Sequence, residues 1–422
     1  MLDTCEKYGE ICLVTVGMRP FIFVTDPVAV TQILKDADFF PKSRDLYSKF
    51  KSAFGDGLVT SDGETWKEHN RLLSTWFQGR GRHMPAVNEY ANMLVETVKK
   101  SAAQGQSFDL EHKLAQTLLF IFGKVAFNHD FAKNMDDTER FLDLVASLGP
   151  DLSRSMFQDM VPFRKWSPPK LRELLALIAD LTTRYQQDLE ARKDDIVASK
   201  STKPDLAYAL LTSDLSLQHV KDEVMTLLGA GHETTAALCT FAVYVICEHP
   251  DCLEKIRREV QNVLGDPSNI DFSYEQVAEM KYLNQVFKEV MRLYPPVPFF
   301  AREAVQDTEL NGVRIPRRTM LLIPVVTMNM LTRLWGPNAK EFDPDRFGED
   351  KTIPPGQFIP FSGGRRVCIG QHLALMEATI IVAKMLWHFD WKRDTSKKMK
   401  TTSAITMRTV DGCWMHASTR NP

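Results

Sequence analysis

The sequence predicts a mainly α-helical protein with a small β subdomain. Three observations carry that expectation: strand-like runs at the start, a long middle region of helical periodicity, and short strands again near the end. Residues 11–16 and 21–25 are rich in β-branched and aromatic side chains and flank a turn around Gly17 and Pro20. Residues 27–35 follow as a helix that Asp26 is placed to cap. From about residue 64 to 251 apolar residues mostly recur at helical spacing, in segments such as 90–100, 110–126, 170–192 and 217–248. The last segment makes a rod about as long as a domain is wide, with Ser216 at its start and His249-Pro250 at its end. Residues 313–315, 319–326 and 402–409 return to strand character. A coil punctuated by Pro and Gly runs over 335–364, long enough to be functional or well packed, whereas 200–204 reads as a surface loop.

One large domain over residues 1–422 with unequal lobes is expected, because 44% hydrophobic and 10% aromatic residues build a core and leave apolar side chains to line a cavity. Fifty-two Lys and Arg against 54 Asp and Glu give a net charge of −2, which argues against nucleic acid as a partner. Seven cysteines, an odd number without framework spacing, suit a reducing compartment or the cytosolic face of a membrane. No secretory signal opens the chain, and no run reaches the roughly 18 apolar residues of a bilayer span.

Phe361-Ser362-Gly363-Gly364-Arg365-Arg366-Val367-Cys368-Ile369-Gly370 leads straight into an apolar helical pattern over 371–386. Cys368 therefore sits at a helix N-terminus, where free N–H groups favour a thiolate. Gly363, Gly364 and Gly370 remove side chains around it, so that a flat macrocycle can approach, and Arg366 can reach a carboxylate on the ring edge. The alternative is a buried structural cysteine beside a glycine loop.

The long helix contains Gly229-Ala230-Gly231-His232-Glu233-Thr234-Thr235. Glycine inside a helix costs about 1 kcal/mol relative to alanine, so something needs the space. Leu227, Ala230, Thr234 and Leu238 share one stripe; a close helix crossing, with Thr234 bonding back to a carbonyl, is the other reading. His232 reads as a side-facing residue and not as a metal ligand. Further on, Glu289 and Arg292 share a helix face that Pro295-Pro296 stops.

These strings resemble the cytochrome P450 family over nearly the whole chain. The loop matches its haem-binding signature FxxGxRxCxG at Phe361, Gly364, Arg366, Cys368 and Gly370. Ala230, Gly231, Glu233 and Thr234 match its oxygen-activation motif, and Glu289 with Arg292 its ExxR pair. Pro344, Arg346 and Phe347 match the element whose arginine locks that pair into a structural clamp. The resemblance implies the family fold, with haem b between the long central helix and the cysteine loop, and Cys368 as metal ligand. It implies that Thr234 hydrogen-bonds dioxygen and Glu233 helps deliver protons. Arg302 and Trp66 match positions that contact the ring, but the arginine expected four residues after Trp66 is replaced by Asn70, and His69 or Arg71 are the residues placed to compensate.

The resemblance also puts Phe50, Phe54, Leu58, Leu227, Val297, Phe299, Phe300 and Ile405 in pocket-lining segments, with core filling as the alternative for each. It implies a monooxygenase that inserts one oxygen atom of O2 into a lipophilic small molecule such as a fatty acid or sterol. Electrons would come from NADPH-cytochrome P450 reductase or another donor docking on Lys67, Arg80, Arg82 and Arg365. The motif wording is nearer to microsomal members and soluble fatty-acid hydroxylases, so peripheral membrane contact is expected. The expected location is the cytosolic face of the endoplasmic reticulum if an N-terminal anchor has been lost, and otherwise the cytoplasm. An isomerase or peroxygenase on the same scaffold, or a non-catalytic haem or lipid-binding protein, stays open.

Overall fold

The computed structural model describes residues 2–16, 19–79, 81–158, 170–191, 205–265, 271–403 and 405–420. The turn at Gly17, the loop 200–204, Arg192 and Arg80 lie outside the described residues.

A short helix, Leu2–Tyr8, precedes the strands expected at the start and buries Cys5. Strands β1 (Ile11–Val16) and β2 (Arg19–Val24) pair antiparallel, from Ile11 opposite Val24 to Val16 opposite Arg19. Pro20 belongs to β2 and not to the turn; β2 meets its other neighbour only at Ile22 and Phe23, so the missing N–H is not needed there. Asp26 caps helix Pro27–Lys35, its carboxylate accepting from the Val28 and Ala29 N–H groups at 3.2 and 3.0 Å.

The same sheet is completed by strands from far along the chain. In chain order the remaining strands are β3 (Phe108–Asp109), β4 (Phe300–Glu303), β5 (Thr308–Leu310), β6 (Val313–Ile315), β7 (Met320–Ile323), β8 (Phe389–Arg393), β9 (Thr401–Ser403), β10 (Met407–Thr409) and β11 (Trp414–Thr419). The main sheet runs β1-β2-β7-β4, with β7 parallel to β2 and antiparallel to β4. Strand character was expected over 319–326, but β7 stops at Ile323 because Pro324 supplies no N–H, and Val325–Met328 turns into a short helix. The β9–β10 pair replaces the single run expected over 402–409.

Helices make up the larger lobe. The Ser216 hydroxyl caps helix Leu217–Ile246, accepting from the His219 N–H at 3.2 Å. This 30-residue rod is buried along most of its length against helices Leu110–Phe127, Gln371–His388 and Lys281–Leu293. Pro250 opens the next helix, Pro250–Leu264, rather than closing the rod. Fully buried Phe122, Phe127, Phe141, Phe241 and Phe287 fill the core around it. Among the described residues no single helix is long and apolar enough to cross a membrane, and all seven cysteines are free.

Candidate functional site

The segment before helix Gln371–His388 folds back on itself: the Cys368 N–H donates to the Phe361 carbonyl at 2.9 Å, and the Gln371 N–H to the Cys368 carbonyl at 3.4 Å. Gly364 has φ +61°, and a Cβ there would stand 2.0 Å from the Leu34 carbonyl oxygen. The backbone of helix Pro27–Lys35 therefore demands this glycine, which corrects the expectation that it clears space for a macrocycle. A Cβ on Gly363 would likewise meet Leu34, whereas Gly370 does face open space beside Phe77.

Cys368 lies deep in the protein yet stays open, because its side chain faces an internal cavity of about 330 Å³. Burial pushes its thiol up, while the Gly370 and Gln371 N–H groups at the helix start pull it down. The expected help from the helix end is present, but burial is the larger effect. Among the described residues no group of three or more His, Cys, Asp or Glu side chains is placed to hold a metal ion.

The long helix presents Leu227, Ala230, Gly231, Thr234 and Leu238 to the same cavity. Both readings of this helix are realised together. A Cβ on Gly231 would come within 2.6 Å of the Phe122 ring, so a helix crossing uses that space, and the Thr234 hydroxyl donates to the Ala230 carbonyl at 3.0 Å. Glu233 does not join the cavity wall: its carboxylate accepts from the Thr406 hydroxyl at 2.9 Å and lies 3.8 Å from Arg408 Nη1. His232 is buried, its Nδ1 2.6 Å from the Leu228 carbonyl.

One edge of the cavity is cationic. Arg366 stacks on Trp66 with its guanidinium 3.8 Å from the ring centroid, donates to the Ser61 carbonyl at 3.1 Å and pairs with Asp62. Burial pulls its guanidinium down to about 10. Arg302, buried on β4, lines the same edge. So does Lys42, a residue the sequence did not single out, whose Nζ donates to the Leu58 and Ser61 carbonyls at 3.0 Å each. Asn70 also lines the cavity, but neither residue expected to replace its charge does so. His69 is fully buried, its Nδ1 2.6 Å from Glu223, and Arg71 is exposed on the far side of its helix, Gly63–Phe77.

Glu289 and Arg292 are both wholly buried and joined by two hydrogen bonds of 2.7 Å. Arg292 also donates to the carbonyls of Asn329, Ala339 and Glu341, while Glu289 accepts from the Asp343 N–H at 2.9 Å. Arg346 stands 3.5 Å from Glu289 and donates to the Trp335 and Asn338 carbonyls. The three residues thus tie the coil before the cysteine loop to helix Lys281–Leu293.

Of the expected pocket residues, Leu58, Leu227, Val297 and Phe300 line the cavity. Phe50, Phe54, Phe299 and Ile405 pack into the hydrophobic clusters instead. Of the expected donor patch, Lys67 pairs with Glu64 and Arg365 with Asp38 at the surface, and Arg82 lies over Trp76, while Arg80 lies outside the described residues. Besides Lys42, sequence reading missed Glu377, a buried carboxyl on the cavity wall that burial pushes well above the usual range. An acid amid the apolar residues 373–386 was the signal for it.

These side chains fit haem b. A cysteine sulfur opens onto a mostly apolar cavity, small residues leave room on the long helix, and the buried cations at one edge exceed the carboxylates beside them. A family profile for cytochrome P450 matches residues 1–412. Cytochrome P450 734A6 of Oryza sativa subsp. japonica is 30% identical over 410 residues, covering 91% of this chain and 75% of that protein. Carotene epsilon-monooxygenase of Arabidopsis thaliana is 27% identical over 443 residues, 98% and 80% of the two chains. A bifunctional cytochrome P450/NADPH--P450 reductase of Bacillus cereus is 27% identical over 429 residues; it covers 97% of this chain, which spans 39% of that protein. The protein is a monooxygenase of the oxidoreductase class that takes haem b through a cysteine thiolate. Because profile, relatives and cavity all agree from the first strands to the C-terminal hairpin, the chain belongs to the cytochrome P450 family.

Proposed function

We propose that the protein inserts one oxygen atom of dioxygen into an apolar small molecule, of the fatty-acid, sterol or isoprenoid kind, with electrons from an NADPH-linked reductase. The observation that carries this reading is that the Cys368 side chain and the Thr234 stripe open onto one cavity whose remaining wall is mostly apolar. The family relation to a carotene monooxygenase and to a reductase fusion supports the substrate class and the donor.

In this reading Cys368 holds the iron, Arg302, Arg366 and Trp66 seat the ring edge, and the Glu289–Arg292–Arg346 clamp fixes the coil that presents the cysteine. Bound there, haem supplies the redox chemistry that reduces dioxygen with two electrons and two protons, one atom going to substrate and one to water. The chain does the rest. Leu58, Leu227, Val297 and Phe300 bind the substrate and exclude bulk water. Thr234 keeps a hydroxyl at the cavity wall, ready to exchange the Ala230 carbonyl for a ligand oxygen. Glu233, next to Thr234 along the helix and held by Thr406, is the carboxylate that helps deliver protons toward the site.

Turnover of a lipid panel under isotopically labelled dioxygen, with NADPH and a reductase, tests this. Product carrying one labelled atom is expected. Product formed only with peroxide would assign a peroxygenase, and ligand-induced spin shifts with no product under either donor would assign a binding protein.

A further inference from the structure

We propose that Cys5 and Cys12 are a dithiol pair that a small disulfide, such as glutathione disulfide, converts to an intramolecular disulfide, locking helix Leu2–Tyr8 onto the edge strand β1.

A tight connection builds the pair. Only Gly9 and Glu10 separate the helix from β1, and the Gly9 N–H donates to the Cys5 carbonyl at 3.2 Å. Gly9 has φ +97°, a backbone conformation that glycine adopts without strain. The strand is folded back along the helix, and Cys5 and Cys12 enter one small cluster of buried side chains with Phe23, Leu322 and Leu331. Inside it the two thiols hydrogen-bond to each other, so the sulfurs already meet. The strand they join is the outermost of the main sheet, where one side has no neighbouring strand to hold it.

The two sulfurs are not equivalent. Cys5 donates the hydrogen bond that favours an anionic Cys12, and the Arg333 guanidinium favours negative charge on both. Arg333 is fixed there by the Thr25 hydroxyl, to which it donates at 2.6 Å, and by Glu10 at 3.5 Å. Burial opposes both thiolates and pushes Cys5 up to about 11. The reaction is therefore gated by opening of the helix, whose hold is slight. Cys5 is its buried side chain, and Glu6 accepts from the N–H and hydroxyl of Thr332 at 3.0 and 3.2 Å.

The chemistry balances in two exchanges. The Cys12 thiolate attacks one sulfur of glutathione disulfide, forms a mixed disulfide and expels one glutathione thiolate. The Cys5 thiolate then attacks the Cys12 sulfur and expels the second. The protein gives up two electrons and two protons, and both glutathiones leave reduced. The new bond restricts the opened states of the helix. Through Glu6 it also steadies the turn Thr332–Trp335, whose Trp335 carbonyl accepts from Arg346 of the clamp. A reducing thiol pool keeps the pair open, and a more oxidised one closes it.

Equilibration of the full-length holoenzyme with glutathione buffers, alkylation of the remaining thiols and tryptic mapping without reduction test this. Trypsin cleaves after Lys7 and next after Lys35, since Arg19 precedes Pro20. Peptide 1–7 linked to peptide 8–35 is expected in the oxidising buffer, and dithiothreitol releases the two. Cys5→Ala is expected to form no linked peptide and to stop at a Cys12–glutathione adduct. Native cleavage after Lys7 is expected to be about tenfold or more slower in the oxidised protein and to recover on reduction. Both peptides recovered unlinked and alkylated from the most oxidising buffer overturn the proposal, as does a bond from either cysteine to a different one. Linked peptide with unchanged native cleavage after Lys7 overturns the lock.

Discussion

Arg292 is a fully buried cation whose donors are all spent: two on Glu289 and three on carbonyls of the following coil. Arg292→Ala leaves the Glu289 carboxylate, which burial already holds above its usual range, with only the Asp343 N–H and the more distant Arg346, and orphans those carbonyls. A loss of about 3–5 kcal/mol is expected in urea unfolding, with falling haem content, the cost of breaking a buried ion pair from one side. A loss within about 0–1 kcal/mol would assign the pair to the class of surface bridges. The pair was legible at this scale because a spacing of three puts both residues on one helix face, and Pro344, Arg346 and Phe347 supplied the third member. Lys42 was not legible. Its connections reach Arg302 and Arg366, some 260 and 324 positions away, through backbone carbonyls that any residue type would offer.

At the scale of elements, the cysteine loop and helix Pro27–Lys35 are locked by contact of backbone on backbone. Gly364→Ala places a Cβ at 2.0 Å from the Leu34 carbonyl and at a positive φ. We expect it to cost at least about 1–3 kcal/mol and to lower haem incorporation, read by thermal unfolding and by Soret absorbance. Gly363→Ala, which would meet only the Leu34 side chain at 3.2 Å, should cost less. Elsewhere Glu111, on helix Leu110–Phe127, accepts from Thr409 of β10, and burial pushes its carboxyl up to about 7 from 4.5. The folded protein thus keeps a proton that the unfolded chain releases. The Glu111 contribution to stability is complete below pH 4.5 and is lost as pH rises through about 7. Glu111→Gln should flatten the fall in melting temperature over that window; an unchanged slope would place the titration elsewhere. Caps and long periodic helices were readable, since Asp26, Ser216 and the rod over 217–246 depend on local chemistry. Helix Leu2–Tyr8 was not, because seven residues with a single buried side chain carry no period. The role of Gly364 was misread because its neighbour, Leu34, is 330 positions distant.

For the whole molecule, the mainly helical lobe, the small sheet and the cysteine loop followed from pattern and resemblance together, since each is signalled by short strings. The cavity was legible only in part. Four of eight expected pocket residues reach it, because a hydrophobic residue that lines a void and one that fills a core look alike in sequence. The same blindness applies to charge: a net −2 conceals a buried edge of three cations. What unites these features is one sulfur facing one cavity, and the absorption spectrum of the reduced, carbon-monoxide-bound protein tests it most directly, recorded beside Cys368→Ser. A thiolate-type Soret band in the parent and its loss in the variant is the expected result; the same spectrum from both proteins would contradict the account.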